Sequence, residues 1–177
     1  FIVILVIWEW HQDNPVVNVK LFLNRNFAIG AVSLSISSIA FFSSVVVIPL
    51  WLQNYMGYTA LQSGMTTSTL GLSILFTAPI LGSILNRLDA RKVVVAGFIL
   101  FSITAVLTGN YTPDVTPAYI SVSRFLTGIG LGMFFSPLNT ITLSNIQPED
   151  MAGASGLYNF TRNIGNSFGT SLAINFW

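Results

Sequence analysis

Of 177 residues, only 7% are charged and 53% are hydrophobic, and seven Lys/Arg against six Asp/Glu leave a formal net charge of +1. So few charges cannot coat a water-soluble globule, so apolar a chain does not stay disordered, and a chain without a basic face does not bind nucleic acid. There is no cysteine and one histidine. Disulfide and thiolate-metal sites are therefore excluded. His11, in a loop beside Asp13, has no second ligand or nucleophile near it, so no metal, cofactor or enzymatic role is expected.

The composition leaves an all-α integral membrane protein, helical because its apolar runs are continuous and not alternating. Residues 1–10 read as the end of a span and 11–26 as a loop. No charge occurs between Arg25 and Arg87, a gap far longer than the roughly 20 residues one crossing needs. It must hold two spans, 27–50 and 64–85, around a polar turn at 51–63. A tight charged loop at 86–92 follows. Further spans are expected at 93–109, 118–144 (with Pro137 as a kink) and 152–177. The turn at 110–117 carries Pro113, Asp114 and Pro117. The loop at 145–151 ends on Pro148-Glu149-Asp150, which suits a helix start. Both ends of the chain fall inside apolar runs, so it is expected to be a piece of a larger membrane protein. Sidedness follows from the basic residues: Lys20, Arg25, Arg87, Arg91 and Lys92 fall on one side and none in the loops opposite, which makes the side of 11–26, 86–92 and 145–151 cytoplasmic.

Two arginines lie at membrane depth, Arg124 and Arg162, with no acid inside any full span. Each either snorkels to a nearby helix end or faces a cavity or partner. On the last span, at 100° per residue, Asn159, Arg162, Asn163, Asn166 and Thr170 share one face, and Leu157, Phe160, Ile164 and Phe168 the opposite one. A polar stripe of that length should line water or meet another polar helix in a hydrogen-bonded seam. A looser stripe on 118–144 mixes Arg124, Gly128, Leu131, Phe135, Asn139 and Thr142. Small residues mark close packing: Gly128, Gly130 and Gly132, then Thr161, Gly165, Gly169 and Ala173 at every fourth position.

The junction Gly82-Ser-Ile-Leu-Asn86-Arg87-Leu-Asp89-Ala-Arg91-Lys92 is a tight turn of alternating charge, in which Arg87 and Asp89 could pair or cap the neighbouring helix ends, or serve only as a positive-inside loop. It resembles the loop signature Gly-x-Leu-x-Asp-Arg-x-Gly-Arg-Arg of the major facilitator superfamily, with Asn86 in place of the acid, Asp89 for the second Gly and Ala90 for a basic residue. Those departures weaken a latch role here. Pro15-Val-Val-Asn-Val-Lys-Leu-Phe-Leu-Asn-Arg-Asn-Phe27 is similar to the entry to the ninth span of the fourteen-span drug:proton antiporters, the EmrB/QacA-like branch. Pro49-Leu-Trp-Leu-Gln53 with Gly57-Tyr58-Thr59 and Gly64 resembles the turn that follows it there. Phe134-Phe-Ser-Pro137-Leu-Asn-Thr140-Ile-Thr142-Leu-Ser144 and Ala154-Ser-Gly-Leu-Tyr-Asn159-Phe-Thr-Arg162 with Gly165 and Gly169-Thr170-Ser171 resemble its twelfth and thirteenth spans.

The resemblance implies a partial C-terminal six-helix bundle, about five and a half spans, of a carrier that works by alternating access. It implies multidrug efflux in exchange for protons. The bundle at 27–177 would work with an N-terminal bundle of the same transporter, in which the coupling acids would sit. Its cavity candidates are Phe41, Phe42, Arg124, Phe135, Asn139, Asn159, Arg162, Asn163 and Asn166. The third helix, 93–109, would face lipid. Expected partners are the bilayer, an amphiphilic small molecule, protons and, as in the EmrB-like subset, a periplasmic adaptor and an outer-membrane channel. A bacterial inner-membrane location goes with this. The competing readings are a carrier of one metabolite or siderophore, and a membrane assembly subunit with no transport of its own.

Overall fold

The computed structural model describes residues 19–85 and 88–176, apart from the side chains of Val19, Ile84 and Glu149. The expected span end at 1–10, His11, Asn86, Arg87 and Trp177 lie outside the described residues. Among those described, a 3-10 turn at Val19–Leu23 leads into five helices: α1 (Arg25–Asn54), α2 (Ala60–Ile84), α3 (Ala90–Gly109), α4 (Pro117–Leu143) and α5 (Met151–Phe176). No strand occurs among them.

Helices α1 to α4 are each long and apolar enough to cross a bilayer. Helix α5, at 26 residues, is long enough, but its amide-bearing face keeps it out of that apolar set.

Helices α1, α2 and α3 begin before the stretches expected for them. Gln53 and Asn54, expected in a turn, close the last turn of α1, and the Gln53 side chain donates back to the Pro49 carbonyl at 3.1 Å. The start of α2 is fixed by a capping box. Thr59 accepts from the Gln62 backbone at 3.3 Å, and the Gln62 side chain accepts from the Thr59 backbone at 2.9 Å, so two orphan donors are satisfied at once. Between these helices Gly57 takes φ +67°, the left-handed turn conformation that favours glycine. Asp89 caps α3 by accepting from the Arg91 backbone at 3.0 Å, which draws Arg91 and Lys92 out of the expected loop and into the first turn of the helix. Pro148–Asp150 forms a single 3-10 turn that feeds α5. Pro137, where a kink was expected, lies inside α4, which continues to Leu143.

The chain forms two compact units. One joins the segment up to Ser44 to the segment from Asn139 onward. There the start of α1 packs on the end of α4, with the Asn26 side chain donating to the Ile141 carbonyl at 2.7 Å and Gly30 against Thr142. The same stretch of α1 packs on α5.

The other unit is Val45–Leu138. Its packing inverts that of a soluble helix. On α2 the buried face is Ser63, Thr66, Ser73, Thr77 and Leu81, whereas Leu61, Met65, Leu72, Leu75, Phe76 and Ile80 point outward. Hydroxyls tolerate such burial because each finds a carbonyl: Ser63 donates to that of Pro49 on α1 at 3.3 Å, and on their own helix Thr66 donates to Gln62 at 2.9 Å, Ser73 to Leu70 at 2.7 Å and Thr77 to Ser73 at 2.6 Å. Helix α3 buries a single stripe, Val93, Gly97, Phe101 and Thr104, and exposes Val95, Phe98, Ile99, Ile103 and Val106. Lipid tails are as apolar as leucine, so large side chains gain little by turning inward, and small residues take the helix contacts instead.

Candidate functional site

Helix α5 presents two polar-compatible faces, and the structure separates their uses. The face that packs is the small one: Ala154, Leu157, Tyr158, Gly165, Gly169 and Ala173 are buried. A Cβ at Gly165 would stand 2.6 Å from the Ser35 carbonyl oxygen, and one at Gly169 would stand 2.5 Å from that of Ile39. The backbones of α1 and α5 thus touch where both glycines stand. The Ser43 hydroxyl donates across this contact to the Gly169 carbonyl at 2.8 Å.

The amide face is left open. Asn159, Arg162 and Asn163 are exposed, and Asn166 and Thr170 are half-buried. The hydrogen bonds of its amides stay on the helix: Asn159 donates to the Ser155 carbonyl at 2.9 Å, and Asn166 donates to the Asn163 side chain at 3.5 Å. An interhelical seam between described helices would engage this face, and the glycine stripe has taken that place. The apolar residues opposite divide. Leu157 packs inside, whereas Phe160 is 53% and Phe168 60% exposed. Tyr158, which no sequence pattern singles out, is buried, one turn before Arg162 on the same helix.

The remaining candidates fall as follows. In the same unit, Phe41 and Phe42 are half-buried and meet edge to face, ring centroids 5.2 Å apart. Asn139 is exposed. In the other unit, Phe135 is half-buried and stacks edge-on with Phe134 at 5.3 Å. Arg124 is buried, 3% exposed, so its head does not snorkel to a helix end within the described residues. Part of the stripe expected on α4 is filled by packing and is no open surface. Gly128 lies against Ser73 and the Leu70 carbonyl, and a Cβ on Gly132 would stand 3.1 Å from the Thr77 methyl carbon. Gly97 of α3, opposite Met133, and Gly30 make the same kind of contact and escape sequence reasoning, because neither belongs to a repeat visible in the sequence. In the charged junction, Gly82, Asp89, Arg91 and Lys92 are exposed, and only the Asp89 cap is seen as an interaction.

The helices and their inverted packing are those of a polytopic membrane protein. The profile of the Major Facilitator Superfamily matches residues 12–175. The chain belongs to that superfamily. The multidrug export protein EmrB of Escherichia coli (strain K12) is 36% identical across 98% of this chain and 34% of its own length. EmrB of Haemophilus influenzae is 38% identical across 99% of this chain and 35% of its own. The fatty acid resistance protein FarB of Neisseria gonorrhoeae is 32% identical across 97% and 34%. The chain therefore spans about a third of the length of the curated relatives it matches. As a facilitator-superfamily chain with four helices fit to cross a bilayer, it is part of a multi-pass protein of the bacterial inner membrane.

Proposed function

We propose that this chain is part of a proton-coupled exporter of amphiphilic molecules, in which the amide face of α5 borders the substrate passage. The observation that carries the reading is the division of α5 into a glycine face packed on α1 and an open face of Asn159, Arg162, Asn163 and Asn166. Four groups that demand hydrogen bonds cannot face acyl chains without a large cost. They need water, a solute or a second polar wall. The polypeptide beyond this chain supplies that wall: a first helical bundle that rocks against this one and carries the carboxylates that take up protons. Phe41 and Phe42, in the same unit as α5, offer the apolar, ring-bearing contacts a drug-like body needs, with the amides fixing its polar end.

The relatives' names, multidrug export and fatty acid resistance, are compatible with this substrate class. The ends bearing Lys20, Arg25, Arg91 and Lys92 would lie in the cytoplasm. A periplasmic adaptor and an outer-membrane channel would complete the route out of the cell. The deciding experiment reconstitutes the full-length protein in liposomes and follows dye export under an imposed pH gradient. Export that collapses with the gradient supports the reading. Export indifferent to the gradient, or none for any amphiphile tried, overturns it.

A further inference from the structure

We propose that the amphiphile taken by the α5 face is a single-chain anion, with its acidic head against Arg162 and its alkyl body running about half the depth of the bilayer core to Phe42. The inference rests on the reading of that face as a wall of the substrate passage, and adds to it the sign and the length of the solute.

The sign follows from the charges. Arg162 is the one charged residue of α5, and the only other charge on α1 and α5 is Arg25, at the start of α1. Neither helix carries an acid. Glu149 and Asp150 come before α5 begins. Arg162 is exposed, with Asn159 and Asn163 exposed beside it. Amides are neutral and offer both an N–H and a carbonyl oxygen, so the guanidinium alone decides which charge the face favours. At the wall of a low-dielectric passage an anionic head gains charge-assisted hydrogen bonds from it, and a cationic head is repelled.

The length follows from register. Gly165 meets the carbonyl of Ser35, and Gly169, one turn on, meets that of Ile39. The offset is the same at both contacts, so α1 and α5 run parallel and Arg162 lies level with Val32. Phe42 stands further along α1 by about 15 Å at 1.5 Å per residue, half of the roughly 30 Å hydrocarbon core and so the reach of one acyl chain. Rotation places the two on one side. Viewed down the pair from the N-terminal ends at 100° per residue, the amides lie clockwise of the glycine line on α5, and Phe42 lies anticlockwise of the Ser35–Ile39 line on α1. In parallel helices those two directions turn to the same side. The Phe41 ring meets that of Phe42 edge to face at 5.2 Å and enlarges the apolar end.

The test uses amphiphiles of permanent charge, which a pH gradient cannot redistribute. The full-length protein in liposomes exports a neutral dye under an imposed pH gradient, while dodecanesulfonate, dodecyltrimethylammonium and their hexyl counterparts compete at equal membrane-bound concentration. Dodecanesulfonate should compete roughly tenfold better than dodecyltrimethylammonium, the scale of one charge-assisted hydrogen bond. Arg162→Gln should abolish the preference and Arg162→Lys keep most of it, each read against the variant's own export. Phe42→Ala should weaken dodecanesulfonate and leave hexanesulfonate, whose chain stops short of that ring, unchanged. Equal or better competition by the cation, an anion preference that survives in Arg162→Gln, or equal losses for both sulfonates in Phe42→Ala overturns the proposal. The rise in Tm that each amphiphile gives the protein in nanodiscs is measured in parallel, so that a protein exporting nothing still decides the sign. Export that ignores the pH gradient overturns the exporter reading, whereas export that follows the gradient without preferring anions overturns this inference alone.

Discussion

The hydroxyl oxygen of Ser43 lies 2.8 Å from the carbonyl oxygen of Ile39 on its own helix and 2.8 Å from that of Gly169 on α5. One proton is shared between a local acceptor and a distant one, which ties two helices that the lipid does little to press together. Replacing Ser43 with Ala should therefore cost little, on the order of 0.6 kcal/mol, because the Ile39 carbonyl keeps its backbone partner. Thermal melts of the full-length protein in one detergent should show a small fall in Tm with export retained.

Gly169 itself should be far less replaceable. A valine there would drive its Cβ into the α1 backbone at Ile39, where no flexible side chain can yield. Overpacking of that kind costs about 1–3 kcal/mol and separates the helices. Gly156, on the same helix, has open space where a side chain would begin: a Cβ there would meet nothing within 4 Å. At that position Ala should be neutral or stabilising by up to about 1 kcal/mol through helix propensity. Equal losses of Tm in Gly169→Val and Gly156→Ala would contradict the packing described.

The number and order of the helices were legible because charge gaps in this chain coincide with bilayer thickness, from Arg25 to Arg87 above all. Ends were less legible. Gln53 and Asn54 look like turn residues, but a helix end can satisfy them through its own carbonyls, as Gln53 does. The Thr59/Gln62 pair would have placed the start of α2 correctly, since a capping box needs only local sequence. Which face packs was half legible. The repeat through Gly165, Gly169 and Ala173 pointed to it, whereas the apolar row Leu157, Phe160, Ile164 and Phe168 did not, because in lipid a phenylalanine is as well placed outside as inside. Arg124 is buried, whereas the sequence left snorkelling and an inward-facing position both open, because its distance from a helix end permits either.

Lipid-facing and passage-facing positions should respond oppositely to polarity. Ile99 points outward from α3. Ile99→Asp should raise the insertion cost of that helix by roughly 2.5–3.5 kcal/mol, visible as a loss of membrane-integrated protein. Asn163→Leu, on the open face of α5, should insert normally and lose export instead. Quantitative membrane immunoblots paired with dye efflux would resolve the two.

Arg162 combines a charge with the exposed amide face. Arg162→Ala should reduce export by about tenfold, the equivalent of roughly 1.4 kcal/mol of lost interaction, with Tm little changed because the side chain is exposed. Arg162→Lys should recover part of the activity. Unaltered efflux in Arg162→Ala would place the passage elsewhere.

Thr59→Ala removes one half of the box that starts α2 and should destabilise the protein by about 1 kcal/mol. Thr59→Ser, which keeps the acceptor, should restore it. Chemical denaturation of the full-length protein in mixed micelles measures both.

The hydroxyl face of α2 has a mechanical consequence. Toward the start of α2, Thr69 donates to the Ser121 carbonyl of α4 at 3.0 Å, and Ser121 donates to the Thr66 carbonyl at 3.4 Å. Further along, Ser73 and Thr77 direct their protons to their own helix, and Thr77 offers Gly132 its methyl group. The pair is thus riveted by hydrogen bonds at one end and held beyond it by side chains seated in glycine notches, so that loosening α2 from α4 there breaks no bond between the two helices among those described.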